Sequence, residues 1–200
     1  RYAYCNQPAI TKWNLSRFAE CLIPLIHKNE DNAIKKATEL IETFGEKYEK
    51  KWLNMMRKKL GLFGVENEDK FLIVDLLTWM HQKKVDYTNT FCHLMNIEIE
   101  KNKNYMDSNF QNWKKRWQER LNINNNTPEK NMKIMRSVNP LIIPRNQKVE
   151  EALEAAENDN FNSINQLIEV LKEPYSRGKN ILEYQISSNY NENYQTFCGT

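Results

Sequence analysis

The stretch Asp69–Met80 (DKFLIVDLLTWM) decides the fold class of this 200-residue chain. Read as a helix, it places apolar side chains around most of the helix circumference. Those side chains are Phe71, Leu72, Val74, Leu76, Leu77 and Met80. A helix that is apolar on so many sides is packed by neighbours on several sides, and aspartate is a residue type that caps helix starts. The stretch therefore predicts a central helix with Asp69 as its N-cap.

Two helices are predicted on the N-terminal side of this stretch. The first follows Pro8 and carries an apolar stripe at helical spacing, formed by Leu15, Phe18, Ala19, Leu22 and Ile26. Pro24 lacks a backbone donor and should kink or shorten that helix. The second carries apolar side chains from Ala33 to Met55 and stops at Gly61, because glycine favours the left-handed conformation of a helix end.

The helical pattern continues on the C-terminal side. The predicted starts of three helices are Asp86, Asp107 or Ser108, and Thr127 followed by Pro128. Apolar residues at 149–156 and 161–171 predict two more helices, which form a hairpin around residues 158–160. Five glycines, six prolines and almost no alternating β-branched runs complete the picture of a mainly α chain.

Length and composition predict one helical domain over residues 1–174 and an irregular C-terminal tail over residues 175–200. With 40% hydrophobic residues, a chain of 200 residues is able to bury roughly 70% of its unfolded surface. The chain lacks an initiating Met, so Arg1 is expected to be an interior position of a longer protein.

Charge and cysteine usage argue against several classes of protein. Lys plus Arg number 29 and Asp plus Glu 26, and a net charge of +3 does not fit a polybasic nucleic-acid binder. Four cysteines without a CxxC motif argue against a disulfide scaffold or a structural zinc site, and they favour a reducing compartment. Since no apolar run approaches the roughly 20 residues of a membrane helix, no membrane association is expected.

The sequence contains no self-contained catalytic signature, such as a phosphate-binding loop, a nucleophile elbow or an HExxH motif. Gly61 and Gly64 follow a predicted helix, which favours a helix cap and turn over phosphate binding. The three histidines (His27, His81 and His93) have no converging donors and are interpreted as ordinary surface or core residues. No catalytic, cofactor-binding or metal-binding residue is predicted in this chain.

Aromatic and basic residues are mixed between Trp113 and Arg120, a composition typical of single-stranded nucleic-acid platforms. The spacing favours another interpretation, because Trp113 and Trp117 lie on one helix face together with Phe110. We therefore expect a buried aromatic stripe with a solvated basic back, and no nucleic-acid partner. Weak nucleic-acid binding through residues 114–120 is the minor alternative.

The cysteines divide by context. Cys21 and Cys92 lie among apolar helical positions and are interpreted as small buried hydrophobes. Cys5 precedes the first predicted helix and Cys198 lies in the predicted tail, where a thiol meets oxidants or another thiol. Cys198 and Cys5 are therefore the redox candidates.

Seven stretches resemble the selenoprotein O family, and together they cover essentially the whole chain. They are residues 1–10 (RYAYCNQPAI), 13–20 (WNLSRFAE), 59–62 (KLGL), 86–91 (DYTNTF), 139–146 (NPLIIPRN), 149–156 (VEEALEAA) and 194–200 (YQTFCGT). The last stretch looks like the ending of bacterial members, with Cys198 near the place where animal members carry selenocysteine.

The resemblance implies a protein-kinase-like (pseudokinase) fold whose members transfer AMP from ATP to Ser, Thr or Tyr hydroxyls of protein substrates. Within that fold this chain would be the helical C-lobe and C-terminal extension, beginning inside the activation region. The family's nucleotide and metal residues precede the segment that opens at Arg1, so none is assigned to a numbered position here. ATP and magnesium or manganese are expected cofactors of the full-length protein, and the fragment alone is expected to be inactive.

The family also implies redox regulation through its C-terminal cysteine, which Cys198 matches. The usual partner position lies upstream of Arg1, so Cys5 as a substitute partner is a hypothesis. A cytoplasmic location is expected from the bacterial type of ending, or a mitochondrial one if the source is an animal. The competing hypothesis is a stand-alone helical protein-interaction module with an aromatic groove around Trp113, Trp117 and the tail tyrosines.

Overall fold

The computed structural model describes residues 4–97, 102–123, 126–176 and 182–186, and its regular elements there are all helical. The helices are α1 (Gln7–Ile26), α2 (Glu30–Glu42), α3 (Phe44–Lys59), α4 (Asp69–Lys83), α5 (Tyr87–Leu94), α6 (Ser108–Asn122), α7 (Pro128–Val138), α8 (Asn146–Glu157), α9 (Asn162–Lys172) and α10 (Leu182–Gln185). Short 3-10 turns cover Tyr4–Asn6 and Lys103–Met106. The prediction of a mainly α chain is confirmed. None of the described helices combines the length and the hydropathy that crossing a membrane demands.

The chain divides into two compact units, Arg1–Met55 and Met56–Thr200, and the boundary falls inside α3. In the first unit α1 packs against α2. Among the described side chains of that unit Ala33 alone is buried, and α1 buries none. In the apolar stripe predicted for the first helix, Leu15 and Phe18 are exposed, and Ala19, Leu22 and Ile26 are half-buried.

The second unit has a core built on α4 and α6, which pack against each other. Buried residues of α4 are Leu72, Ile73, Leu76, Trp79 and Met80, and those of α6 include Phe110, Trp113 and Trp117. The Trp113 and Trp117 rings lie 5.9 Å apart and nearly parallel. The prediction of a buried aromatic stripe on α6 is confirmed. The prediction that α4 is packed on most sides is wrong for Phe71 and Val74, which are exposed, because α4 buries one face against its neighbours.

Local capping explains the helix starts that the sequence predicted correctly. Asp86 accepts a hydrogen bond of 2.7 Å from the Asn89 N–H at the start of α5. Asp107 accepts from the Asn109 N–H at the start of α6 over 3.0 Å, and Thr127 caps α7. Each cap satisfies a backbone donor that has no partner within its helix.

Two predicted helix boundaries are wrong. The predicted second helix is two helices, α2 and α3, which are interrupted at Thr43, whose hydroxyl donates to the Leu40 carbonyl over 2.7 Å. Such a local side-chain bond competes with the helical ladder. Asp69 is the first residue of α4 and not its cap, which is Glu68. The predicted hairpin of α8 and α9 is confirmed.

Four helices end in the same backbone motif. After α3 the Leu62 N–H donates to the Arg57 carbonyl over 2.9 Å and the Gly61 N–H to the Lys58 carbonyl over 3.1 Å, which is a Schellman ending. The residues with positive φ in the four endings are Gly61, Lys84, Asn96 and Asp159. Gly61 is therefore a helix cap, as the sequence favoured.

We expect Gly61→Ala to destabilise the chain. Gly61 has φ +70°, and an added Cβ would lie 3.0 Å from the Asn131 backbone oxygen. The left-handed conformation alone costs an L-residue about 1–2 kcal/mol, and the close contact adds to that cost. Urea unfolding followed by circular dichroism measures the loss.

Gly45→Ala is the matched control, because Gly45 lies within α3 and a Cβ there meets nothing within 4 Å. An alanine in a helix is favoured over glycine by roughly 0.5–1 kcal/mol, so this variant should gain stability. The interpretation of Gly61 as a left-handed helix cap is wrong if Gly61→Ala and Gly45→Ala shift the unfolding midpoint in the same direction.

Candidate functional site

Of the two cysteines predicted as redox candidates, the structure describes Cys5 and not Cys198. Cys5 is exposed in the turn Tyr4–Asn6, and its sulfur lies 3.7 Å from Oδ1 of Asn6. Cys198 lies outside the described residues, so the pairing of Cys5 with Cys198 stays a prediction.

Cys21 and Cys92 were both predicted to be small buried hydrophobes, and of the two Cys92 alone is buried. Cys21 is exposed on α1, where its thiol lies 3.5 Å from the Arg17 carbonyl oxygen. Cys92 is buried, with its sulfur 3.9 Å from the Pro140 carbonyl oxygen. Burial, followed by the charge of the Asp86 carboxylate, raises the pKa of the Cys92 thiol to about 11. A thiol held protonated in this way is a poor nucleophile at neutral pH.

A carboxylate lies in the core of the second unit. Asp69 is 1% exposed, and the Nε atoms of Arg57 and Arg120 donate to its two oxygens over 2.6 Å each. The Glu66 N–H adds a third bond of 3.0 Å, and Arg120 also donates to the Phe63 carbonyl oxygen over 3.0 Å. We call Arg57, Asp69 and Arg120 the Asp69 cluster.

The Asp69 cluster joins three helices, since Arg57 lies on α3, Asp69 on α4 and Arg120 on α6. Burial alone would raise the pKa of Asp69, but the hydrogen bonds from Arg120, the Glu66 N–H and Arg57 outweigh it and hold that pKa below its usual 3.8. The carboxylate is therefore charged at neutral pH, with both oxygens occupied. Its chemistry fits a structural role and not that of a general base.

The sequence pattern did not predict the Asp69 cluster, because Asp69 was interpreted as a helix cap and Arg120 as part of a solvated basic face. A signal was available in the sequence. Asp69 is one helical turn from Ile73 and lies on the same apolar face, and Arg120 follows Trp117 by three residues. Charged residues of opposite sign on two buried faces indicate a pair that is buried together.

A second buried polar cluster surrounds Arg145. Its Nη1 atom donates to Asp86 over 2.7 Å, and Nη2 donates to Asp86 over 3.2 Å and to Asn89 over 3.1 Å. The Asp86 carboxylate thus caps α5 and binds a guanidinium at the same time.

The Arg145 cluster holds the helical turn α10. Arg145 Nε donates to the Tyr184 carbonyl oxygen over 3.2 Å, and the Asn89 side chain donates to the Gln185 carbonyl oxygen over 2.9 Å. Gln185 is buried and donates to the Leu141 carbonyl oxygen over 3.0 Å. The turn lies within the predicted tail, for which the sequence predicted no regular element. The residues that hold it are distant in sequence, so no local pattern indicates it.

Lys59 is a buried amine that lies over two aromatic rings. Its Nζ atom is 4.5 Å from the Phe91 ring centre and 5.3 Å from the Tyr87 ring centre, a cation–π arrangement. Burial lowers the pKa of Lys59 to about 8.

The aromatic residues between Trp113 and Arg120 are not a stacking platform. The Nε1 atoms of Trp113 and Trp117 donate to the backbone oxygens of Leu72 and Leu60 over 2.8 and 2.9 Å, and both residues are buried. Neither ring presents a face to a nucleic-acid base or to a protein groove. The aromatic groove proposed around them in the interaction-module hypothesis is therefore not formed by these two side chains.

The described residues do not fit a metal site. Over those residues no three His, Cys, Asp or Glu side chains come together in a way that could hold an ion. His93 stacks on Tyr105 with ring centres 4.0 Å apart, and burial, followed by the charge of Lys114, lowers its pKa. Asp69 and Asp86 have their oxygens occupied by arginines. No reaction step is derived through a metal at this chain.

Similarity to known proteins agrees with the resemblance read from the sequence. A family model described as protein adenylyltransferase SelO matches residues 1–172. The protein nucleotidyltransferase YdiU of Pelagibacter ubique is 55% identical over 201 residues, covering 100% of this chain and 42% of that protein. Proteins of the same name from Nitrosococcus oceani and Clostridium perfringens are 45% and 42% identical, and this chain covers 41% of each. The chain thus spans about 42% of the length of the curated relatives it matches.

We expect Asp69→Asn to destabilise the chain strongly at neutral pH. The substitution leaves two buried guanidinium groups without their anion, and removing one partner of a buried ion pair costs about 3–5 kcal/mol. Chemical unfolding at pH 7, followed by tryptophan fluorescence, measures the loss because Trp113 and Trp117 lie in the same core.

Asp75→Asn is the matched control, since Asp75 of α4 pairs with Arg116 of α6 over 2.7 Å but is 48% exposed. An exposed pair contributes about 0–1 kcal/mol. The pKa of Asp69 is lowered in the folded state, so its stabilisation is present above pH 3.8 and is lost as the pH falls through the folded-state pKa. The structural role of Asp69 would be contradicted if both variants lost the same free energy of unfolding at pH 7. It would also be contradicted if the difference in stability between Asp69→Asn and the unsubstituted chain did not become smaller in acid.

Proposed function

Because the chain belongs to the protein adenylyltransferase SelO family, we propose that it is the helical C-terminal part of an enzyme that transfers AMP from ATP to protein hydroxyls. The acceptors in the proposed reaction are Ser, Thr or Tyr side chains. The match of the family model to residues 1–172 carries the proposal. The 55% identity to a protein named as a nucleotidyltransferase supports it.

In the proposed reaction the acceptor hydroxyl oxygen attacks the α-phosphorus of ATP. A bond forms between that oxygen and the α-phosphorus, the bond from the α-phosphorus to the bridging oxygen breaks, and pyrophosphate leaves while the hydroxyl proton is released. Positioning and electrostatic stabilisation dominate such transfers. Magnesium or manganese, when bound, would neutralise charge on the phosphate oxygens.

We assign the nucleotide and metal sites to the part of the enzyme that this chain does not contain. Asp69 and Asp86 are engaged by arginines, and Cys92 is held protonated, so none of the three is suited to bind a metal or accept a proton. The role proposed for this chain is structural. Its second unit, with the Asp69 cluster joining α3, α4 and α6, would be a rigid base that supports the metal-binding loop and presents a face to protein substrates.

Cys198 and Cys5 remain the residues proposed for redox regulation. The exposure of Cys5 supports its availability to an oxidant or a second thiol. The bacterial relatives support a cytoplasmic location for the proposed enzyme.

We expect the polypeptide of full family length to transfer label from α-phosphate-labelled ATP, and not from γ-phosphate-labelled ATP, to an acceptor protein in the presence of magnesium or manganese. Gel autoradiography with both nucleotides distinguishes AMP transfer from phosphate transfer. The 200-residue chain alone should transfer neither label.

Asp75→Asn in the full-length polypeptide is the control that should keep the wild-type rate, because the Asp75 pair is exposed. Asp69→Asn should lose activity in proportion to its loss of folded protein. Transfer of the γ-label, or transfer of the α-label by the 200-residue chain alone, would contradict the proposal.

For the thiols we expect hydrogen peroxide to join Cys5 and Cys198 in the 200-residue chain. Each bridge removes two hydrogen atoms from the protein and reduces one peroxide to water. Intact mass after oxidation and native alkylation should then show a single alkylated thiol, Cys21, since Cys92 is buried with its pKa raised to about 11.

The substitutions Cys5→Ser and Cys198→Ser should each abolish the loss of two hydrogens. Cys21→Ser is the matched control, since Cys21 is also exposed, and it should leave the bridge intact. Alkylation of both Cys5 and Cys198 after oxidation would rule out the pairing.

A further inference from the structure

The helical turn α10 (Leu182–Gln185) depends on the residues that surround it. Helical segments shorter than about 12 residues are marginal in water on their own. The apolar side chains at the two ends of the turn do not compensate, because Leu182 and Ile186 are each 54% exposed. Gln185 is the buried residue of the turn and is 2% exposed. Hydrogen bonds to distant residues are therefore what keeps this turn in place.

Three hydrogen bonds tie α10 to the rest of the second unit. The Asn89 side chain donates to the Gln185 carbonyl oxygen over 2.9 Å, and Arg145 Nε donates to the Tyr184 carbonyl oxygen over 3.2 Å. The Gln185 side chain donates to the Leu141 carbonyl oxygen over 3.0 Å. Asn89, Leu141 and Gln185 are buried. Breaking these bonds leaves buried polar groups unpaired, and that cost opposes the release of the turn.

Leu141 holds the chain at two points. Its N–H donates to the Pro174 carbonyl oxygen over 2.7 Å, and its carbonyl oxygen accepts the bond from Gln185. Among the described residues, Pro174 is the nearest one upstream of α10 that forms a hydrogen bond with a distant residue. Cys198 follows Gln185 by 13 residues and Pro174 by 24. The bonds of α10 therefore shorten the connection between the second unit and Cys198 from 24 residues to 13.

We propose that α10 is an anchor that positions Cys198 for disulfide formation. The proposal rests on the redox role proposed for Cys198 and adds the positioning residues that control it, Asn89, Arg145 and Gln185. In the irregular tail that the sequence predicts, the effective concentration of one thiol at another falls roughly as the −3/2 power of the connecting length. A connection of 24 residues in place of 13 lowers that concentration about 2.5-fold. Loss of the anchor should slow the bridge to Cys5 by the same factor.

The first measurement is the distance between the second unit and Cys198, which requires no disulfide. Gln147 is exposed in the first turn of α8, so a spin label on Gln147→Cys reports the position of that unit. The second spin label is carried by Cys198. Cys5 and Cys21 are replaced by Ser, and Cys92 escapes labelling because it is buried.

Double electron–electron resonance should give a longer mean distance and a broader distribution in Gln185→Ala than in the chain with α10 intact. The reason is that the substitution removes the bond from α10 to Leu141. Leu182→Ala is the matched control, since Leu182 lies on the same turn but is 54% exposed. This control should leave the distance distribution unchanged.

An insertion keeps the proposal testable if Gln185→Ala does not fold. Eleven Gly and Ser residues inserted after Ser188 lengthen the connection between Gln185 and Cys198 from 13 to 24 residues and leave α10 unsubstituted. The insertion should reproduce the longer distance. It also separates positioning from stability, because a merely structural role of Gln185 would not be reproduced by a longer tail.

The second measurement is the rate at which the bridge between Cys5 and Cys198 forms. Hydrogen peroxide takes two hydrogen atoms from the two thiols and becomes two water molecules. Samples are alkylated at intervals, and intact mass gives the bridged fraction. Gln185→Ala and the insertion should each form the bridge about 2.5-fold more slowly than the unsubstituted chain, and Leu182→Ala should form it at the unsubstituted rate.

Two results would each overturn the proposal. The first is the same distance distribution in Gln185→Ala and in the chain with α10 intact, which means that α10 does not limit the position of Cys198. The second is a bridge that forms in Gln185→Ala as fast as in the unsubstituted chain, or faster. If the unsubstituted chain forms no bridge, the pairing of Cys5 with Cys198 fails, and the distance measurement still decides whether α10 positions Cys198.

Discussion

One buried carboxylate constrains the second unit more than any other group. Asp69 is 1% exposed and charged, so the folded chain must bring cations to it. The guanidinium groups of Arg57 and Arg120 meet this need from two other helices. The indole nitrogens of Trp113 and Trp117 donate to the backbone oxygens of Leu72 and Leu60 in the same unit. The position of α6 against α4 is therefore fixed by directional bonds as well as by apolar packing, which by itself tolerates sliding.

The two units differ in how they are stabilised. The second unit has an apolar core with two satisfied ionic clusters, one around Asp69 and one around Arg145. The first unit consists of α1, α2 and the first part of α3, and among its described side chains Ala33 alone is buried. The chain spans 42% of the length of the first curated relative.

Sequence reasoning succeeded where the cause of a structure is local. The caps at Asp86, Asp107 and Thr127 and the spacing of Trp113 and Trp117 were all readable from neighbouring residues. It failed where the cause is distant in sequence, as at Asp69, whose partner Arg120 is 51 residues away, and at Gln185, whose partner Asn89 is 96 residues away. Of the candidate site, Cys5 is exposed, and its pairing with Cys198 stays a prediction.

The bonds that fix α10 also limit the distance of the C-terminal cysteine from it, because the covalent chain between them is short. Asn89, Arg145 and Leu141 fasten the backbone and side chain at residues 184 and 185. Cys198 follows Gln185 by thirteen residues in the sequence. A fully extended chain covers about 3.3–3.6 Å per residue, so the covalent chain limits the distance between the α-carbons of Gln185 and Cys198 to about 45 Å. A partner thiol of Cys198 within the same chain must therefore lie within about that distance of Gln185, wherever it stands in the sequence.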